Sequence, residues 1–253
     1  DILARGVGEE LLEESTEGRV RRALGELGPI FIKLGQLAGN RPDIVGVALA
    51  RELQGLQDRA PSDPREAVEA VLAESLGQPP QEIFAEFDWE PLASASIAQV
   101  HRARLKTGEE VVVKVQHNGL EQLVENDVSI LSDLAELLEH YVSESRAFRP
   151  RAMVEEFRRG LMRELDFRRE LHNMEAFRKN FEGDPALCIP TTYPEYSSGR
   201  VLTMERLKGI KFTETETLRN RGIDPAAIAR EGARIFLEMI FEHGLFHGDP
   251  HPG

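Results

Sequence analysis

The sequence predicts an α+β fold, on three observations: helical periodicity before and after a central region, one clear β-hairpin in that region, and breaker residues at the borders. The first sixty residues read as helices. Ile30, Phe31, Leu34, Leu37 and Ala38 fall on one arc of a helical wheel, and Pro29 suits a first helical position, where a missing N–H costs nothing. Ala60-Pro61-Ser62-Asp63-Pro64 breaks the pattern. A short helix over Arg65 to Leu76 stops at Gly77 and the Pro79-Pro80 pair. Strands over Ile97 to Leu105 and Glu110 to Gln116 flank Lys106-Thr107-Gly108-Glu109, a hairpin signal and the one clear β start. Helical spacing resumes from Leu120 to Tyr141 and, as a single stretch, from Arg151 to Phe181. Ile189 to Tyr193 and Arg200 to Met204 are short β-like runs around Ser197-Ser198-Gly199, and a last helix spans Pro225 to His243. No internal repeat stands out.

Composition narrows the function classes. With 253 residues, 41% hydrophobic and 30% charged, the chain can bury one large core or two small ones. A net charge of -13 argues against a nucleic-acid partner, since no basic face is available to neutralise phosphates in quantity. The arginines between Arg146 and Arg169 are interleaved with glutamates and read as a solvated helix face. The single cysteine, Cys188, excludes an internal disulfide and suits a reducing compartment. No apolar run approaches the roughly 18 residues of a membrane span, and the first thirty residues hold no signal-peptide core, so a cytoplasmic protein is expected.

The chemistry-bearing residues start from the last seven, His247-Gly248-Asp249-Pro250-His251-Pro252-Gly253. An H-x-D of this kind marks a phosphotransferase catalytic loop, in which the Asp accepts the proton of the attacking hydroxyl and an Asn five residues later holds a metal ion. Five beyond Asp249 is one past the last residue, and Asp1 is not a Met. The expectation is a fragment truncated within the catalytic loop and inactive alone. A metal site of His247, Asp249 and His251 is the competing reading, but Pro250 and Pro252 fit a catalytic loop better.

Upstream, Lys114 ends Val111-Val112-Val113 on a strand that follows a hairpin, where a kinase places the lysine that contacts the α and β phosphates. Strand alternation puts Val112 and Lys114 on one face, so one can roof the base while the other reaches the phosphates. In the slot of a glycine-rich phosphate loop runs Pro91-Leu92-Ala93-Ser94-Ala95-Ser96-Ile97-Ala98-Gln99-Val100, without glycine, so hydroxyls and free N–H groups would have to bind phosphate. Glu164, Asp166 and Glu170 crowd three acids into two helical turns, and Asp166 and Glu170 would repel at i,i+4 unless a cation sits between them. Arg163 and Arg169 are local candidates; Glu170 is also placed to pair with Lys114, as a kinase αC glutamate does. Lys33 and Gln36 border the apolar arc of the early helix at i,i+3, with Gly35 allowing another backbone to come close. A lysine there either snorkels to water or meets an anion.

Taken together, K-x-G-Q (Lys33, Gly35, Gln36), the alanine-rich loop, V-x-V-K with Lys114, E-x-D (Glu164, Asp166) with Glu170, and H-G-D-P-H-P-G resemble the UbiB family of aarF-domain, or ADCK-type, atypical kinases. The resemblance runs in order over nearly the whole chain. It implies a protein-kinase-like fold with an N-terminal helical extension over 1–64, a kinase-like N-lobe with a helical insertion over 65–207, and the start of a C-lobe over 208–253. It implies an atypical kinase or ATPase that binds ATP or ADP with Mg²⁺ and serves coenzyme Q biosynthesis or lipid homeostasis. Lipid or quinone-pathway proteins would be its partners, and its place would be peripheral, at the inner membrane. Residue by residue, Lys114 and Glu170 would form an ion pair, Asp249 would be the catalytic acid, and Lys33 would meet the acids Glu164 and Asp166. The hinge would run through Thr203 to Leu207, with Met204 as gatekeeper and Glu205 and Leu207 offering backbone to adenine. Two departures stand out: Val112 replaces the small residue common above adenine, and the metal-binding Asn and D-F-G Asp are absent, leaving no metal ligands within the chain. The terminal motif also resembles aminoglycoside and choline phosphotransferases, although the K-x-G-Q helix and alanine loop do not. A nucleotide-sensing pseudokinase scaffold is the non-catalytic alternative; Lys114, Glu170 and Asp249 together favour catalysis.

Overall fold

The computed structural model describes residues 15–56 and 60–248, so Asp249 and the four residues after it lie outside the described residues. Helix α1 (Thr16–Leu27) is opened by Ser15, whose hydroxyl accepts the Gly18 N–H at 3.0 Å, and α2 (Pro29–Gly39) takes Pro29 in its first turn. After α3 (Pro42–Val45), α4 (Val47–Leu53) packs back on α1 and α2. Backbones approach closely at Gly39, where a Cβ would lie 3.2–3.3 Å from backbone atoms of Gln54 and Leu53. Gly35 differs from the expectation of a close backbone: a Cβ there would meet the side chains of Leu56 and Leu24.

The antiparallel sheet contains β1 (Phe84–Phe87), β2 (Ala93–Ser94), β3 (Ala98–Leu105), β4 (Glu110–Gln116) and β5 (Val201–Glu205), in the order β1-β3-β4-β5 with β2 also on β3. Its closed face is covered by α5 (Arg65–Leu76), which ends on left-handed Gly77, and by the short α6 (Pro80–Ile83). Val111, Val113 and Val115 project to that side with Ala103, Leu105 and Val201, against Val68, Val71 and Leu72. On the other face, Lys114 pairs across with Val100 and Leu202, and Val112 with Arg102 and Met204. Strand alternation therefore splits β4 between a core and a site.

Between β4 and β5 the chain inserts α7 (Leu120–Tyr141), a 3₁₀ turn at Ser143–Phe148, α8 (Pro150–Glu164) and α9 (Phe167–Asn180). A second core joins α7 and α8 to α2 through Leu120, Val124, Val128, Phe157, Leu161, Ile30 and Phe31. After β5 come α10 (Thr215–Asn220) and α11 (Pro225–Glu238).

Four local expectations are corrected. The stretch from Arg151 to Phe181 is two helices, because Asp166 turns to an extended conformation (φ -97°, ψ 95°) and caps α9 by accepting the Arg168 N–H at 3.2 Å. The Phe167 N–H, freed from helical pairing by the break, donates to the Gly199 carbonyl at 2.9 Å. Strands β1 and β2 were not foreseen; each is short and exists by pairing with β3. Ile189 to Tyr193 forms a single bridge, Thr192 to Met204, because Pro190 and Pro194 lack the N–H groups a ladder needs. The last helix ends in a π turn over Met239–His243 before left-handed Gly244.

Candidate active site

Lys114 stands near the end of β4 on the open face, and Glu170 on the first turn of α9. Lys114 Nζ donates to Glu170 Oε2 at 2.7 Å and lies 4.6 Å above the centroid of the Phe167 ring. The aromatic floor is fixed, since Phe167 is 1% exposed and its backbone is tied to Gly199. Side-chain exposures of 27% and 40% place this ion pair where its net contribution to stability is only about 0–1 kcal/mol. Its value is therefore positional: Glu170 aims an ammonium whose other N–H groups remain for an anion.

The opposite wall comes from the N-terminal helices. Lys33 on α2 donates to Glu164 Oε1, on the last turn of α8, at 2.6 Å across 131 residues of sequence. Lys33, Glu164, Lys114, Glu170 and Phe167 together line a cavity of about 250 Å³, closed on the sheet side by Ala93, Ala95, Ile97, Ala98 and Val100. Two lysines and two glutamates thus face one small space, and each lysine is paired with a glutamate. Among the described residues no group of three His, Cys, Asp or Glu side chains is placed to hold a metal ion.

The other expected site residues are distributed as follows. Ala93 and Ala95 line the cavity, whereas the Ser94 hydroxyl donates to the Pro61 carbonyl at 3.3 Å and the Ser96 hydroxyl is buried. Asp166 is engaged by Arg168, with Nε 2.7 Å from its carboxylate, and this hydrogen bond holds the Asp166 carboxyl below the usual range. The hydrogen-bonding cation for Asp166 is thus Arg168, with Arg169 adding a weaker charge interaction, and the expected contact of Lys33 is made with Glu164 and not with Asp166. Gln36 donates to the Leu56 carbonyl at 3.3 Å and ties α2 to the segment after α4. Val112 and Met204 are paired across β4 and β5 on the open face, beyond the cavity lining. Glu205 accepts the Thr191 N–H at 3.1 Å, and Leu207 is exposed.

Sequence reasoning gave Phe167 no role, placed Ala98 and Val100 only in the loop slot, and missed the polar residues behind the alanine loop. His117, Asp63 and Gln99 are linked there: the Asp63 N–H donates to Gln99 Oε1 at 3.0 Å, and Asp63 Oδ1 is 3.0 Å from His117 Nδ1. The signal for Gln99 was an amide in an apolar strand, where burial demands a partner; Asp63, flanked by proline and serine, gave none.

A family profile described as ABC1 atypical kinase-like domain matches residues 55–253. A protein named Probable protein kinase UbiB from Pseudomonas aeruginosa PAO1 is 45% identical over 242 residues, covering 96% of this chain and 45% of the relative. One of the same name from Marinobacter nauticus is 40% identical over 235 residues, covering 93% of this chain and 43% of the relative. The chain spans less than half the length of these curated relatives. Among solved structures, the Rv3197–erythromycin complex from Mycobacterium tuberculosis superposes with a TM-score of 0.63 at 28% identity, over 87% of this chain and 54% of that one. A strand lysine paired with a helix glutamate, a kinase-like sheet and these matches converge on one conclusion: the chain belongs to the ABC1 atypical kinase-like family, of UbiB type.

Proposed function

We propose that the chain binds the phosphates of ATP or ADP in the cavity between Lys114 and Lys33, as the nucleotide half of an atypical kinase or ATPase. The observation that carries this reading is the Lys114–Glu170 pair at 2.7 Å beside Lys33–Glu164 at 2.6 Å, around one cavity. Lys114, steadied by Glu170, donates to phosphate oxygens from the sheet side. Lys33 answers from α2, so that the N-terminal helices close the side where a peptide would otherwise approach. Adenine lies toward Val112 and Met204, with backbone of Glu205 and Leu207 as its hydrogen-bonding edge. Asp249 takes the proton of the attacking hydroxyl or water. The described residues hold no metal cluster, so Mg²⁺, which would supply charge neutralisation, is assigned no ligands here. Service in isoprenoid quinone synthesis or lipid homeostasis, at a membrane periphery, rests on the family resemblance; among the described residues no helix is long and apolar enough to cross a membrane.

The test is nucleotide-dependent thermal stabilisation. ADP or ATP at about a hundred times its Kd should stabilise the wild type by about 2.7 kcal/mol and Lys114→Met at the same concentration by far less. Equal stabilisation of both would refute the assignment.

A further inference from the structure

The alanine-rich loop contains no glycine, yet it lines the cavity, and something must hold its backbone there. Ala93 and Ser94 pair with β3 and the Ala95 N–H donates to the Ala98 carbonyl at 2.9 Å, and a further tie comes from outside the loop. His117, the first residue after β4, presents both ring nitrogens to acceptors: Nε2 is 2.8 Å from the Ala95 carbonyl oxygen and Nδ1 is 3.0 Å from Asp63 Oδ1. The His117 backbone N–H donates to the Ile97 carbonyl at 3.0 Å, and the second carboxylate oxygen of Asp63 accepts the Asn118 N–H at 2.8 Å. Asp63 in turn is anchored through its own N–H to Gln99, which is fully buried in β3. The ring sits in a protected place, 9% exposed, and the charged side chain against it is Asp63, from the segment before α5.

A neutral imidazole carries one N–H, so it can satisfy one of two facing acceptors and must turn a lone pair toward the other. A carbonyl and a carboxylate are both acceptors, so the geometry matches the imidazolium, with a proton on each nitrogen. His101 gives the contrast inside the same sheet. Its Nδ1 meets the Asp88 carbonyl at 2.8 Å, no acceptor is recorded at its Nε2, and burial pushes its pKa down.

We propose that His117, held between the Ala95 carbonyl and Asp63, is the positioning residue that fixes the alanine-rich loop over the cavity. The inference rests on the nucleotide reading above and deepens it: a loop lacking glycine is preorganised by an outside clamp that needs a donor on each side of one side chain.

Three forms of the chain separate the possibilities. His117→Arg keeps a fixed cation with several donors, whereas His117→Gln offers one donor and one acceptor and imitates the neutral ring. ADP dissociation constants are measured for all three at one pH. His117→Gln should bind ADP about tenfold more weakly than wild type, the equivalent of one hydrogen bond to a charged group, and His117→Arg should restore most of the affinity. Equal affinity of wild type and His117→Gln would overturn the inference. Hydrogen exchange of the amides over residues 93–99, without nucleotide at one acid pH, supplies a second reading. These amides should exchange faster in His117→Gln than in wild type while those of α5 are unchanged; equal protection would overturn the clamp. Should no form bind ADP, the nucleotide reading fails, and the exchange result still decides whether His117 holds the loop.

Discussion

The two faces of the sheet are made by the same strands and do opposite work. On the closed face, Val111, Val113, Val115 and Leu105 are all fully buried against α5. On the open face, one residue along from each valine, stand Val112 and Lys114, and the helices α2, α8 and α9 surround a cavity with lysines and glutamates. Burial of apolar surface on one side supplies the stability that lets the other side hold charges whose mutual pairing is worth little. A rigid strand with a period of two thus lets stability and site chemistry be altered separately.

The largest expected effect breaks the closed face. Leu105→Ala removes a fully buried side chain and should cost about 2–5 kcal/mol in urea-induced unfolding, while ADP affinity per folded molecule stays within about twofold. A parallel collapse of affinity would mean that the faces are not separable.

A smaller effect sharpens the open face. Lys33 and Glu164 have side-chain exposures of 19% and 49%, so a double-mutant cycle with Lys33→Ala and Glu164→Ala should show coupling of about 0.5–1 kcal/mol in stability. Zero coupling would leave Lys33 as a lysine that merely snorkels. The cycle should show a larger coupling in ADP affinity than in stability if α2 is a wall of the cavity.

The smallest effect concerns the border between the two helices that carry the acids. The Arg168 hydrogen bond lowers the Asp166 pKa in the folded state, so this group adds stability above its unfolded value of about 4 and loses it as pH falls through the folded value. Asp166→Asn keeps a side chain able to cap α9 and removes the titration. The wild type should lose stability more steeply than the variant as pH drops below about 4, with little difference near neutrality. Identical acid unfolding profiles would show that the capping hydrogen bond alone matters.

What the sequence made legible was local. The helices at Pro29, Arg65 and Leu120 and the hairpin at Gly108 were readable because periodicity and breaker residues lie within each segment. β1 was not, because Phe84–Phe87 becomes a strand only when β3 offers it a ladder. Lys114 and Glu170 could be paired on paper through a motif, but the turn of Asp166 onto Arg168 depends on Gly199 and Phe167, far apart in sequence. The His117–Asp63 link was invisible for the same reason: 54 residues separate the partners, and the sheet brings them together.

The central claim is that the open face holds a nucleotide with its phosphates between Lys114 and Lys33. An acyl-phosphate derivative of ATP, which acylates lysines near the terminal phosphate, tests it most directly when the labelled peptides are identified by mass spectrometry. The account predicts ATP-competable labelling of Lys114 and Lys33 and none at Lys106 or Lys208. Labelling at Lys106, in the turn between β3 and β4, or at Lys208, which pairs with Glu110 beside that turn, with Lys114 and Lys33 unmodified, would contradict it.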